Sequence, residues 1–185
     1  GIKPGNIATL NENGLWGTES GKLQARLAPD YKYNLVKQIS YPAKTTQLTS
    51  EVQSLKAANP NLVMQSSYTA DAILSMKTYK ELGFSPDMIL ANDAGFADTE
   101  FVKTLGKDAD FIISREAWAL DLAKSKPLIK QVNDLFRSRY KIDFTGNSSR
   151  TFTGLMVLAD AINRAGSTDP EAIRKALAAT DLPAK

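Results

Sequence analysis

Short runs rich in β-branched and aromatic residues alternate with longer stretches of helical period over the first two thirds of the chain. This alternation is typical of an α/β fold, in which helices cover a mostly parallel, Rossmann-like sheet. Gly, Pro, Asn or Asp bounds each run, as expected for strand ends. The pattern predicts five strands: Asn6–Leu10, Tyr33–Ile39, Leu62–Ser66, Met88–Ala91 and Phe111–Ser114.

Helices are predicted between these strands, because apolar residues recur there at steps of three and four. The helix before the fourth strand ends at Gly83, where a C′ glycine is favoured. The next helix has an acidic first turn beginning at Asp98 and ends at Gly106. The segment 11–21 is predicted to be a glycine-containing loop that precedes the first helix. The later crossover helices are predicted over 46–58, 71–82 and 98–105.

The alternation ends near Lys124, and three helical segments then follow without strands between them. The polar run 145–149 is predicted to be a loop. The sequence Asp169-Pro170-Glu171 favours a helix start. Consecutive helices after an α/β run indicate a second structural unit. These helices are predicted over Pro127–Tyr140, Arg150–Ala165 and Pro170–Ala179.

Composition narrows the possible chemistry. The 185 residues include no cysteine and no histidine, which excludes disulfides, thiolate nucleophiles, Cys/His zinc sites and His-based catalytic triads. The net charge of +3 arises from scattered residues, so it does not indicate nucleic-acid binding. No apolar stretch approaches the ~20 residues that cross a bilayer. We expect no catalytic or metal-binding residues, no cofactor, no nucleic-acid partner and no membrane span.

Three residues follow predicted strands at the sheet edge where open α/β folds bind ligands. Trp16 and Tyr68 would each offer a flat apolar wall. Asp93 would suit the ammonium group of a ligand. Each residue alone has a structural explanation, since aromatic side chains pack in cores and Asp commonly caps turns. Because all three residues follow strands at the same edge of the sheet, they are candidates for binding one ligand together.

Two enzymatic interpretations of the same edge are weaker. Glycines at 14, 17 and 21 follow the first strand, but their spacing does not match the phosphate-binding G-x-G-x-x-G, and no acid ends the second strand. A hydrolase could use Glu12 and Asp93 as a pair of catalytic carboxylates. Their spacing in the sequence does not determine the distance between the two side chains, so no hydrolase is predicted.

Six stretches have a further, more specific pattern: Glu12–Gly17, Tyr68–Ala72 with Lys80–Phe84, Asp93–Asp98, Thr145–Gly154 and Val157–Arg174. They resemble the substrate-binding proteins of ABC transporters for branched-chain amino acids, which have the type I periplasmic binding fold. The resemblance runs nearly end to end and is most specific in the last stretch.

The resemblance implies two α/β lobes joined by strap crossings, with the ligand held between them. Residues 1–117 would form the second lobe, 118–126 a hinge strap, and 127–185 an incomplete helical part of the first lobe. Trp16 and Tyr68 would line the cleft wall of the second lobe, and Asp93 would hold the amino group of the ligand. A shift of the alignment by one residue onto Ala94 would favour a ligand that lacks an ammonium.

The implied function is that of a periplasmic or extracellular solute-binding component of an ABC importer, which docks on a membrane permease and performs no chemistry. The ligand would be a branched-chain amino acid or a related compound. The alternatives are a ligand-sensing domain of the same fold in a receptor or regulator, and a ligand that is an aromatic acid or amide. The chain begins at Gly1 without a recognisable secretory signal, so we expect a processed or excerpted polypeptide.

Overall fold

The computed structural model describes residues 5–116 and 118–181. The chain divides into two compact units, residues 1–117 and 118–185. The first unit holds a five-stranded sheet in which all neighbouring strands are parallel. The α/β class is thus confirmed, and a strand lies in each of the five predicted regions. The strands are β1 (Asn6–Glu12), β2 (Asn34–Tyr41), β3 (Leu62–Ser66), β4 (Met88–Asn92) and β5 (Ile113–Arg115).

Helices follow each of the first four strands. Their buried stripes agree with the predicted periodicity: Val52 and Leu55 are completely buried, and Met76 and Tyr79 nearly so. Gly83 and Gly106 both have positive φ at the ends of their helices, as predicted. The helices of this unit are α1 (Leu15–Tyr31), α2 (Thr49–Ala58), α3 (Thr69–Glu81) and α4 (Thr99–Leu105), with short 3₁₀ turns over Ala94–Ala97 and Gly106–Ala109.

The sheet order β2-β1-β3-β4-β5 places the ends of four strands side by side. Asn11 of β1 lies opposite Ser66 of β3, and Asn92 of β4 lies opposite Arg115 of β5. Because all strands run in one direction, the residues that follow them share one edge of the sheet. We call this row of strand ends the carboxyl edge.

Two predictions in this unit are wrong. Helix α1 begins at Leu15, inside the segment predicted to be a loop through residue 21. Gly17 and Gly21 are therefore helical residues, because the Glu12 carboxylate accepts hydrogen bonds from amides at the start of α1. Strand β5 begins at Ile113, because Phe111 has a φ of 66° and is 98% exposed, so it lies outside the sheet.

The second unit is helical over its described residues, 118–181. It contains a 3₁₀ turn over Leu120–Lys124, then α5 (Pro127–Tyr140), α6 (Gly146–Ala165) and α7 (Pro170–Ala178). The loop predicted over 145–149 is wrong, because α6 begins at Gly146. Its polar residues form a capped first turn, in which the Thr145 hydroxyl accepts a hydrogen bond from the Ser148 amide at 3.2 Å.

The helices of the two units are amphipathic rather than uniformly apolar. On α6, Phe152, Leu155 and Met156 are 43%, 63% and 55% exposed. Within residues 5–116 and 118–181, no helix combines the length and the apolar character required to cross a membrane.

Candidate functional site

Two aromatic side chains meet at the carboxyl edge. Trp16 lies in the first turn of α1, directly after β1, and Tyr68 precedes α3, directly after β3. Their ring centroids are 5.3 Å apart, with the planes inclined by 46°. Trp16 is half-buried and Tyr68 is 51% exposed, so the pair presents an apolar surface to the outside of the unit. We call these two rings the aromatic wall.

Glu12 determines where Trp16 lies. Its carboxylate is buried and accepts hydrogen bonds from the amides of Gly14 and Gly17, at 2.5 and 2.7 Å. A carboxylate at the N-terminus of a helix satisfies amides that have no partner within the helix and stabilises its dipole. A Cβ on Gly17 would lie 2.0 Å from the Glu12 carbonyl oxygen, so only glycine permits this tight strand-to-helix turn. The turn places Trp16 at the sheet edge.

A buried polar network fixes the chain just before Tyr68. The Ser67 hydroxyl receives hydrogen bonds from the Tyr41 hydroxyl at 2.6 Å and from the Gln65 amide at 2.9 Å. The Tyr79 hydroxyl in turn donates to Gln65 at 3.1 Å. Burial raises the pKa of both the Tyr41 and the Tyr79 hydroxyls, so they remain protonated donors. The network therefore holds the backbone that carries the phenol of the aromatic wall.

The turn after β4 packs directly against Tyr68. The Gly95 amide donates to the Ser67 carbonyl at 3.1 Å, and a Cβ on Gly95 would lie 2.4 Å from the carbonyl carbon of Tyr68. Asp93 and Ala94 both have positive φ, at 55° and 46°. The Asp93 carboxylate stabilises this uncommon turn by accepting the Ala94 amide at 2.6 Å. Asp93 thus lies next to the aromatic wall along the carboxyl edge.

The Asp93 carboxylate also has a cationic partner. Its second oxygen lies 3.5 Å from a terminal nitrogen of Arg115, the last residue of β5. The Arg115 Nε donates to the Asn92 side-chain oxygen at 3.3 Å. Asp93 as a whole is 8% exposed, whereas the Arg115 side chain is 66% exposed. Arg115 is therefore the more accessible member of this ion pair.

Two adjoining depressions connect these features along one side of α1. The first, of about 480 Å³, contains both rings of the aromatic wall together with Leu15 and Glu19. The second, of about 600 Å³, lies between α1 and the sheet and ends at Arg115; its lining is apolar at Leu23, Met64, Leu90 and Ala91 and polar at Ser20, Gln24 and Asn92. Both include Ser20 and Leu23, and together we call them the α1 groove. Both depressions are open to solvent, so a solute would be enclosed only if another surface covered it.

A buried carboxylate lies near the edge but outside the α1 groove. Asp71, in the first turn of α3, is 1% exposed and accepts the Lys44 amide at 3.2 Å. Its other oxygen has no hydrogen-bond partner among the described residues. Burial raises the pKa of Asp71, opposed by the Lys44 amide, and the negative charge of Glu12 raises it further. Asp71 anchors the loop after β2 rather than a ligand.

A family model described as periplasmic binding protein matches residues 2–184. The chain belongs to this family. Leu/Ile/Val-binding protein homolog 7 of Brucella suis biovar 1 (strain 1330) is 26% identical over 182 residues, which are 96% of this chain and 45% of that protein. The chain spans about half the length of the curated relatives it matches. The resemblance stated from the sequence is confirmed.

Solved structures show the same fold. A leucine-binding protein from Thermotoga maritima superposes with a TM-score of 0.80 at 18% identity, over 93% of this chain and 48% of that one. A fatty acid ABC transporter substrate-binding protein from Thermomonospora curvata has a TM-score of 0.80 at 16% identity, over 95% of this chain and 46% of that one. The homologues of this periplasmic binding protein are substrate-binding proteins and not enzymes.

The predicted ligand-binding residues of this periplasmic binding protein lie partly together. The structure brings together Trp16 and Tyr68, and it places Asp93 on the neighbouring strand end, buried at the base of the edge. It shows Glu12 and Asp93 in separate structural roles rather than as a carboxylate pair. Sequence reasoning missed Arg115, because the predicted fifth strand ended at residue 114. The signal available was that Arg115 directly follows the predicted fifth strand, at the edge where Asp93 follows the fourth.

Proposed function

We propose that the protein is the extracytoplasmic solute-binding component of an ABC importer. It binds a branched-chain amino acid or a related small apolar compound between two lobes, and the closed form docks on a permease in the membrane. Residues 1–117 act as one lobe, 118–126 as the strap and 127–185 as part of the other lobe. The protein resides in the periplasm or outside the cell and is membrane-associated through its transporter. It catalyses no reaction.

The aromatic wall carries this proposal. In a periplasmic binding protein, two aromatic rings 5.3 Å apart at adjacent strand ends form a preorganised apolar surface, which needs little ordering when a solute packs on it. One relative is named for Leu/Ile/Val, one for leucine and one for fatty acids, all of which have an apolar body and a carboxylate, and the amino acids carry an ammonium group as well. Such solutes fit an apolar wall that continues into a groove of this size.

Tryptophan fluorescence of the full gene product tests the proposal. The chain has two tryptophans, so Trp118→Phe leaves Trp16 as the reporter within residues 1–185. We expect leucine or its deaminated analogue isocaproate to change that emission saturably. Tyr68→Ala should weaken binding about tenfold, because a stacked aromatic contributes on the order of 1 kcal/mol beyond its buried area.

Phe111→Ala is the matched control, since it removes an aromatic ring that is 98% exposed and lies outside the α1 groove. It should leave the affinity unchanged. Equal losses in Tyr68→Ala and Phe111→Ala would contradict the role of the aromatic wall, and no saturable response to either solute would contradict the proposed function.

A further inference from the structure

We propose that Arg115 binds an anionic group of the solute, so that the α1 groove selects an apolar carboxylate over the corresponding neutral or ammonium compound. This inference rests on the proposed function and deepens it by naming the class of solute and the residue that recognises it. Four observations support it: the commitment of Asp93, the exposure of Arg115, its fixed position, and the apolar lining beside it.

The carboxylate at this edge is already engaged by the protein. One oxygen of Asp93 accepts the Ala94 amide at 2.6 Å, and the other faces Arg115 at 3.5 Å. The Asp93 side chain is only 11% exposed, whereas the Arg115 side chain is 66% exposed. An approaching ammonium would therefore meet the guanidinium before the carboxylate, and like charges repel. An approaching carboxylate would meet an accessible cation.

Arg115 is held in place while retaining donors for a ligand. Its Nε donates to Asn92 at 3.3 Å and one terminal nitrogen contacts Asp93, so the ends of β4 and β5 orient the guanidinium. A guanidinium has five N–H donors, and among the described residues these two contacts engage only part of them. Planar N–H pairs match the two oxygens of a carboxylate and form short, charge-assisted hydrogen bonds.

The surface between Arg115 and the aromatic wall suits an apolar body. Leu23, Met64 and Leu90 line the groove next to Arg115, and Leu23 also lines the depression at the rings. A solute with its carboxylate at Arg115 would thus rest its hydrocarbon part on a continuous apolar surface. Burial of that surface would supply most of the affinity, and the ion pair would supply the selectivity.

Among the residues that the structure describes, one other charged side chain lines the α1 groove. Glu19 lies beside the aromatic wall, but its carboxylate is 2.7 Å from the Lys22 ammonium. Glu19 and Lys22 are both more than half exposed, so water screens the charge of Glu19 in addition to the nearby ammonium. The cation at the other end of the groove therefore determines the preferred charge of the solute.

Isothermal titration calorimetry of the full gene product tests this selectivity with three probes that share one hydrocarbon body: isocaproate, its neutral amide isocaproamide, and leucine. We expect isocaproate to bind about tenfold more tightly than isocaproamide, as for one charge-assisted hydrogen-bond pair. Arg115→Met should reduce that ratio to about one while leaving the affinity for the amide within about twofold.

Two further variants test whether the selectivity belongs to Arg115 itself. Arg26→Met removes an exposed arginine of α1 that lies outside the α1 groove, and it should leave the ratio unchanged. Asp93→Asn removes the competing acid, so it should preserve or increase the affinity for isocaproate. If Asp93 instead held an ammonium, Asp93→Asn would selectively weaken leucine.

The outcomes are distinct. A preference for isocaproate that survives in Arg115→Met overturns the inference and leaves the proposed function standing, as does selective loss of leucine in Asp93→Asn. Failure of all three probes to bind the unaltered protein overturns the proposed function and the inference together. If Arg115→Met does not fold by circular dichroism, Arg115→Lys replaces it. Because lysine keeps the charge but not the planar pair of N–H donors, its isocaproate-to-isocaproamide ratio should then lie between one and that of the unaltered protein, and a ratio equal to that of the unaltered protein would overturn the inference.

Discussion

Replacing Gly95 by alanine tests whether the Asp93 turn lies directly on the chain that carries Tyr68. The α-carbon of Gly95 approaches backbone atoms rather than flexible side chains. A Cβ there would lie 2.4 Å from the Tyr68 carbonyl carbon and 2.5 Å from the Thr69 nitrogen. Because ordinary contacts begin near 3.4 Å, the turn or the start of α3 must move by about 1 Å.

The expected cost follows from this displacement. Forcing a methyl group into a packed contact of this kind typically costs about 1–3 kcal/mol. A shift of that size also breaks or weakens the hydrogen bond from the Gly95 amide to Ser67, now 3.1 Å long, for a further cost of about 1 kcal/mol. We therefore expect Gly95→Ala to lower the free energy of unfolding by about 2–4 kcal/mol.

Urea unfolding provides the measurement, with Trp16 as the fluorescent reporter in a Trp118→Phe background. Gly154→Ala is the control, because it makes the same chemical change within α6 where nothing lies within 4 Å. Followed by circular dichroism, the control should be unchanged or more stable by about 1 kcal/mol, from helix propensity. If Gly95→Ala changes stability by less than about 0.5 kcal/mol, the turn is not docked as described.

Three further substitutions test the elements around the site. Asp71→Asn should be more stable than the unaltered protein at about pH 7 but not below about pH 4. The reason is that the pKa of Asp71 is raised in the folded state, so its ionisation above the ordinary carboxyl pKa destabilises the fold. Urea titrations at both pH values would contradict this if the gain in stability were larger in acid. Tyr41→Phe should cost about 1–2 kcal/mol by removing its hydrogen bond to Ser67, and an unchanged unfolding midpoint would refute the network. Gly17→Ala should cost about 2 kcal/mol or more, since its Cβ would collide with the backbone of Glu12, and a neutral effect by urea unfolding would exclude that turn.

Local periodicity accounts for the parts of the fold that the sequence predicted. Leu55 of α2 and Met76 of α3 lie on stripes that are buried against the sheet, so their spacing is visible without any long-range information. Parallel strand ends share an edge, which is why Trp16 and Tyr68 could be expected near each other. Their contact distance and tilt depend on the two turns beneath them, which spacing alone does not specify.

Long-range polar contacts account for the parts that the sequence did not predict. The start of α1 depends on where the carboxylate of Glu12 points, and that carboxylate replaces the usual capping residue. The partner of Asp93 is Arg115, 22 residues away, and it follows from the pairing of β4 with β5. No local sequence pattern connects two residues this far apart, so the ion pair between Asp93 and Arg115 could be found only from the structure.

The most direct measurement is a crystal structure of the full gene product with isocaproate bound. The hydrocarbon part should lie within about 4 Å of both rings of the aromatic wall, the contact distance of packed apolar groups. The carboxylate should lie at hydrogen-bonding distance, about 3 Å, from the guanidinium of Arg115. Isocaproate bound at a site that includes neither Trp16 nor Tyr68 would contradict the account.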